Sequence, residues 1–259
     1  MKIAVCVKQT PDSETRITLK EPAASLDDSA FTRVLNPYDQ FAVEEAVLIK
    51  ERTEGCEIVA ITVGPDRVKE SLKKDCLAVG CYKAIIVNDP ALANADEAGI
   101  AKVLAAVLKR DQYDLIMFGI KAIDDDSGQI GIRVAEHLGL PHIGVITKLD
   151  LAEGELTAQR EIEGGKERVA AKLPAVLTCQ KGLNEPRLPS LPNIMKAGSK
   201  PMENLTCADL GIEPPARTYE IKLYSPPPPR GECKFVEADD PATAAKELAR
   251  LLREEAKVV

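Results

Sequence analysis

The run Asp124-Asp125-Asp126-Ser127-Gly128-Gln129-Ile130-Gly131 carries the densest set of groups able to do chemistry in this chain. Ser127 and Gly128 can leave the first amides of a following helix free, and with the helix dipole those amides make an anion site suited to a phosphate. Gln129 offers both a donor and an acceptor to the edge of a nucleotide or flavin. The three carboxylates would repel a phosphate at contact, so at least one must turn to a ribose hydroxyl, a cap or solvent; a magnesium site and a solvated acidic turn are both open. A second set is Asn36-Pro37-Tyr38-Asp39, with asparagine as N-cap, proline at the first helical position and an acid at the third. Capping alone would explain all three. No Ser-His-Asp, Cys-His or paired-acid arrangement stands out, and His137 and His142 flank the Leu138-Gly139-Leu140-Pro141 turn as structural residues, so no residue is assigned a catalytic role. Seven scattered cysteines without a Cys-x-x-Cys pair argue against a metal site. Cys6 and Cys179 sit in apolar runs and read as core residues of a reducing compartment.

The elements that must position these groups follow from hydrophobic period. Ile3–Val7, Glu57–Val63, Ala84–Val87 and Asp114–Phe118 are β-rich runs, separated by segments with apolar residues at helical spacing, such as Ala42, Val43, Ala46, Val47 and Ile49. Such β-α alternation predicts a parallel sheet with helices on both faces, and ligands bind such sheets at the carboxyl ends of the strands, where 119–131 begins. There is no Gly-x-Gly-x-x-Gly and no P-loop, which argues against a standard NAD site. After Pro141 the turn signals Glu153-Gly154 and Gly164-Gly165 predict antiparallel strands added at a sheet edge, and Leu173–Cys179 reads as a last buried strand. The chain then leaves through Gly182–Ala197, which has three prolines yet spaces Leu188, Leu191, Ile194 and Met195 regularly; it cannot be a helix interior or a central strand, and reads as a domain linker or as a shaped loop presented to another chain. Beyond Pro201 core-like content falls, with a polyproline stretch Pro226–Pro229 and a helix opening at Pro241, an arm that must rest on a second subunit or fold back on its own domain.

Composition narrows the partners. A net charge of −7 over 259 residues gives no general attraction to nucleic acid, and 3% aromatic content without tryptophan offers no stacking platform for single strands. No apolar run reaches the roughly 20 residues a membrane helix needs. The opening Met-Lys-Ile-Ala-Val-Cys-Val-Lys is charged too early for a signal peptide, so a cytoplasmic protein without direct membrane insertion is expected.

Several motifs, in order, resemble the electron transfer flavoprotein beta subunit family: Val5–Gln9; Asn36-Pro37-Tyr38 followed by Ala42–Ala46; Val63-Gly64-Pro65; Ala122-Ile123-Asp124-Asp125-Asp126 with Gln129 three residues on; Arg160–Gly165; and Leu191-Pro-Asn-Ile-Met-Lys-Ala197. The resemblance covers the chain to about residue 210. It implies a Rossmann-like open parallel sheet of the adenine-nucleotide alpha-hydrolase type, with an antiparallel edge hairpin and an extended C-terminal arm. It divides the chain into a nucleotide-binding α/β domain (1–182), a partner-recognition loop (183–200) and an arm whose helix packs on the alpha subunit (201–259). The implied cofactor-binding set is Cys6, Asn36, Pro37, Tyr38, Asp39, Val63, Gly119 and Ala122 through Gly131, that is Ala122, Ile123, Asp124, Asp125, Asp126, Ser127, Gly128, Gln129, Ile130 and Gly131. The implied docking set is Pro189, Leu191, Pro192, Ile194, Met195 and Lys196.

On this resemblance the chain is a non-enzymatic carrier. It pairs with an alpha subunit that holds FAD near the interface, takes electrons from acyl-CoA dehydrogenases in fatty acid β-oxidation, and passes them to a quinone oxidoreductase. Two departures bear on the cofactors. Where AMP-binding members show Asn-Gln-Thr, this chain has Gly128-Gln129-Ile130-Gly131, closer to the Gln-x-Gly of members that hold a second FAD and oxidise NADH by bifurcation, so the beta site takes AMP or a second FAD. Ser13 stands where many members have a tyrosine near the flavin. Outside the family, an adenine-nucleotide-binding regulator or adenylating domain shares the β-α order.

Overall fold

The computed structural model describes residues 1–20, 25–220, 222, 225, 231 and 233–259. The polyproline stretch expected at Pro226–Pro229 lies outside the described residues. Strand β1 (Lys2–Cys6) runs into two small antiparallel ribbons, β2 (Gln9–Pro11) with β5 (Arg33–Leu35) and, nested between them, β3 (Thr18–Lys20) with β4 (Ser25–Asp27). Helix α1 (Pro37–Arg52), β6 (Glu57–Val63), α2 (Val68–Ser71), which continues as a π-helical turn over Leu72–Leu77, and β7 (Lys83–Val87) follow. Next come α3 (Glu97–Leu108), β8 (Leu115–Gly119), α4 (Ile130–Leu138), β9 (His142–Ala152), β10 (Glu155–Ile162), β11 (Gly165–Lys172) and β12 (Ala175–Cys179). The last elements are α5 (Leu191–Ala197), β13 (Met202–Leu205) and α6 (Pro241–Glu254).

Nine strands form one sheet in the order β11-β10-β9-β12-β8-β1-β6-β7-β13. From β9 to β13 every pairing is parallel, as expected of Val- and Ile-rich strands covered on both faces. α1 and the π-helical turn cover one face, around Ile3, Val5, Ile58 and Met117; α3 and α4 cover the other, around Ala4, Val59, Ile116 and Val176. The expected β-α order and helices on both faces are therefore present.

Two features differ from expectation. The run after Pro141 enters the sheet as β9, parallel to β12 and antiparallel only to β10, so the antiparallel addition consists of β10 and β11. The reason is that β9 is longer than the hairpin needs, and its first half lies beside β12 where apolar Ile143 and Ile146 are buried. Likewise the chain after Pro201 returns to the sheet: β13 pairs in parallel with β7, burying Leu205 and Cys207. The boundary expected at residue 201 thus falls later, with one compact unit over Met1–Lys222 and a second over Leu223–Val259. In the second unit α6 is capped by Asp240, whose carboxylate accepts the Ala242 and Thr243 amides.

Candidate functional site

From β1 the chain proceeds through α1 to β6 and β7 on one side, then crosses to β8 on the other side of β1. This reversal leaves a crevice at the carboxyl ends of β1 and β8, the position where open α/β sheets take ligands. Asn36, Asp39 and the segment 119–131 all meet there. Asn36 terminates the helix, yet its side chain makes no cap hydrogen bond. Instead its Nδ2 donates to the Lys121 carbonyl at 2.9 Å and its Oδ1 accepts the Ile123 amide at 3.2 Å. Asp39, read from the sequence as a first-turn acid, turns away from the helix end and accepts the Lys8 amide at 2.7 Å and the Gly119 amide at 3.0 Å. The capping explanation therefore fails for both side chains, which join the ends of β1, α1 and β8.

Burial pushes the Asp39 carboxyl up to about 7, against the opposing pull of the Lys8 and Gly119 amides and the Lys8 charge. The folded state then holds a proton between the ordinary carboxylate pKa and about 7 that the unfolded chain has released. This group's contribution to stability is thus fully present below about pH 4 and is lost as pH rises through 7. Carbon-13 NMR of the Asp39 carboxyl should show a midpoint near 7. A midpoint below 4 would mean that the donated hydrogen bonds outweigh burial.

The three acids diverge. Lys8 Nζ bridges Asp124 Oδ1 and Asp125 Oδ2, each at 2.8 Å, and Lys121 Nζ pairs with Asp126 at 2.8 Å. Desolvation pulls the Lys8 ammonium down, but its hydrogen bonds to the two acids outweigh this and raise its pKa, so the pairing holds. Asp126 and Gly128 adopt left-handed conformations (φ 57° and 61°), which wind the turn tightly into α4. Asp125 accepts the Ser127 amide, which removes that donor from the anion site. The amides of Gly128, Gln129, Ile130 and Gly131 make no backbone hydrogen bond among the described residues. The α4 N-terminus thus offers unbonded amides of the kind that can take an anion, with the charge of the acidic run met by Lys8 and Lys121, which no local sequence signal marks. The Gln129 side chain turns to Arg133, with its Oε1 2.7 Å from Nη2.

Not every expected residue presents a side chain to this crevice. Cys6 and Val63 lie at the ends of β1 and β6, but Cys6 is buried in the core on the α3 and α4 side, where burial pushes its thiol up, and Val63 packs against the same core. Any contact from Cys6 is through backbone. Tyr38 is half-buried beneath Lys121, whose ammonium lies 5.9 Å from the ring centre.

Beside these amides, with Gly128 in its wall, opens a cleft of about 420 Å³ lined also by Ile120, Lys121, Ile132, His142, Val145 and Arg160. Val145 adopts φ 62°, rare for a β-branched residue, at the irregularity where β9 shifts register against β12, and its amide donates to Thr178 Oγ1 at 3.1 Å. Gly144 allows this fold-back, since a Cβ there would lie 3.0 Å from His142 Cε1. No sequence signal marks Val145; His142 was read as structural, yet it lines this cleft.

The proline-rich segment also differs from the expected loop. It ends in the short helix α5, with Pro192 in the first turn, where a missing N–H costs nothing. Leu191 and Met195 face solvent and Ala197 is buried. The approach to α5 is fixed on α1: Arg187 Nε and Nη2 fork onto the buried Glu44, Nη1 reaches Glu51 at 2.6 Å, and Asn184 Nδ2 bonds Glu45 Oε2 at 3.0 Å. Arg187→Ala would leave Glu44 buried without its cation. We expect a loss of about 1–2 kcal/mol in urea unfolding and faster proteolysis between residues 183 and 190. An unchanged cleavage rate would show that apolar contacts alone hold the segment.

The electron transfer flavoprotein domain model matches residues 25–210. Electron transfer flavoprotein subunit beta of Bacillus subtilis is 40% identical, with all of both chains covered. The subunit of the same name from Syntrophomonas wolfei is 38% identical over all of this chain and 98% of its own. The human one is 34% identical over 97% of this chain and 99% of its own.

Proposed function

The chain belongs to the electron transfer flavoprotein family as a beta subunit, and from that premise we propose that it joins an alpha subunit around one FAD and relays electrons from acyl-CoA dehydrogenases to a quinone oxidoreductase. The flavin supplies the redox chemistry, and this chain supplies a nucleotide site and a docking surface. The observation that carries the nucleotide reading is the α4 N-terminus, where Lys8 and Lys121 engage the acidic run and the amides of Gly128 to Gly131 are left for a phosphate. Asn36 holds the loop over 121–123 and Asp39 ties the strand ends, so both act as positioning residues. Pro189, Leu191, Pro192, Ile194, Met195 and Lys196 form the docking segment, and no helix among the described residues is long and apolar enough to cross a membrane.

The beta-site ligand on this reading is AMP. One observation favours a second FAD instead, as in a bifurcating carrier that oxidises NADH: the 420 Å³ cleft lies beside the α4 N-terminal amides and mixes apolar walls with Lys121, His142 and Arg160, which suits a ring system with polar edges. Co-expression with the alpha subunit, denaturation of the purified complex and chromatography of what is released would decide. One FAD with one AMP is the expected result; two FAD without AMP would replace it with bifurcation, and a chain that recruits neither flavin nor partner would overturn the proposal.

A further inference from the structure

Away from the nucleotide crevice, Cys76 and Cys81 bracket the end of the π-helical turn Leu72–Leu77. The Cys81 amide donates to the Cys76 carbonyl at 3.0 Å. A bond from an amide to the carbonyl five residues back closes a helix end and sets the side chains of those two residues beside one another. Both residues are fully buried. Two ammonium groups close the corner: Lys50 Nζ binds the Gly80 carbonyl at 2.9 Å, and Lys200 Nζ binds the carbonyls of Leu77 and Cys81, each at 2.7 Å. Lys200 lies three residues after α5, and α5 packs on this same turn through its buried Ala197. The dithiol therefore lies under the seat of the segment assigned above to docking, although its geometry does not depend on that assignment.

We propose that Cys76 and Cys81 are a redox-sensitive pair that closes to an intramolecular disulfide on exposure to a hydroperoxide, with Lys200 as the latch that sets the rate. One sulfur attacks the peroxide oxygen, breaking the O–O bond to give a sulfenic acid and one water. The second sulfur then displaces the hydroxyl from the first as another water, so two electrons and two thiol protons pass to the peroxide. The neighbouring Cys81 thiol and burial push the Cys76 thiol well above its ordinary pKa, so little thiolate exists while the seat is shut. Release of Lys200 from its two carbonyls admits solvent to the corner. Linking the pair cross-braces the turn on which α5 rests.

The test uses the full chain carrying Cys233→Ser, so that the exposed cysteine cannot link two molecules. Reduced protein is treated with hydrogen peroxide, alkylated, and digested without reductant. The tryptic peptide Asp75–Lys83 holds both cysteines. It is expected to appear unalkylated and lighter by two hydrogens, and to form several-fold faster in Lys200→Met, which keeps the apolar stem, with Lys200→Arg returning the slow rate. Recovery of the peptide with both thiols alkylated, or with a single cysteine over-oxidised, would overturn the pair. Equal rates in wild type and Lys200→Met would overturn the latch.

Discussion

Gly119→Ala is expected to destabilise the chain by about 2–4 kcal/mol and to weaken nucleotide binding by at least about 30-fold. A Cβ at this position would lie 2.5 Å from Asp39 Oδ1, 2.6 Å from the Tyr38 carbonyl carbon and 2.7 Å from the Asp39 amide nitrogen. Two of these are backbone atoms at the start of α1, so no rotamer relieves the clash. The helix must withdraw from the end of β8. That withdrawal breaks the Gly119 amide bond to Asp39 and strains the Asn36 bonds to Lys121 and Ile123, which together set the loop over the crevice. Gly128→Ala provides the contrast: its Cβ would meet the Ile120 carbonyl oxygen at 3.4 Å and Lys121 Cβ at 3.8 Å, both ordinary contacts, so its cost is the left-handed conformation, about 1–2 kcal/mol. Urea unfolding and calorimetric titration with AMP, both on the complex, measure the two losses. If Gly119→Ala binds AMP as wild type does, the β8–α1 junction is not what holds the nucleotide loop.

What the sequence made legible is what hydrophobic period and local chemistry control. The parallel strands and the covering helices follow from Val- and Ile-rich runs alternating with amphipathic segments, and Gly128 between a strand end and a helix marked where unbonded amides would lie. The missing parts depend on contacts far apart in the chain. Lys8 reaches Asp124 and Asp125 across more than a hundred residues, and nothing in the local sequence of β1 distinguishes it from any surface lysine. Asn36 and Asp39 satisfied every local rule for a helix start, and that sufficiency hid where their side chains go. β13 was missed because Met202–Leu205 is short and only its last residue is buried, so its strand character comes from the free edge of β7. Pro192 misled in the other direction: proline excludes a helix interior but suits a first turn, and α5 is little longer than that turn.

Leu191→Ala should separate docking from folding. Leu191 is 72% exposed and Met195 75%, while Ile194 is half-buried and Ala197 fully buried against the π-helical turn. Truncating Leu191 removes little that the folded chain itself uses, so its unfolding free energy should stay within about 0.5 kcal/mol of wild type. If the leucine enters an apolar pocket on the dehydrogenase, the same truncation costs about 2 kcal/mol of association, or roughly 30-fold in the second-order rate of electron acceptance at low protein concentration. Ile194→Ala should behave oppositely in stability, because that side chain packs against the core cluster. Lys196→Ala should flatten the salt dependence of the rate with a smaller loss at physiological ionic strength, since an exposed charge steers encounter more than it anchors the complex. The decisive comparison is the transfer rate of Leu191→Ala against its melting temperature. A slow rate with an unchanged melting temperature assigns the leucine to the partner, and an unchanged rate removes α5 from docking.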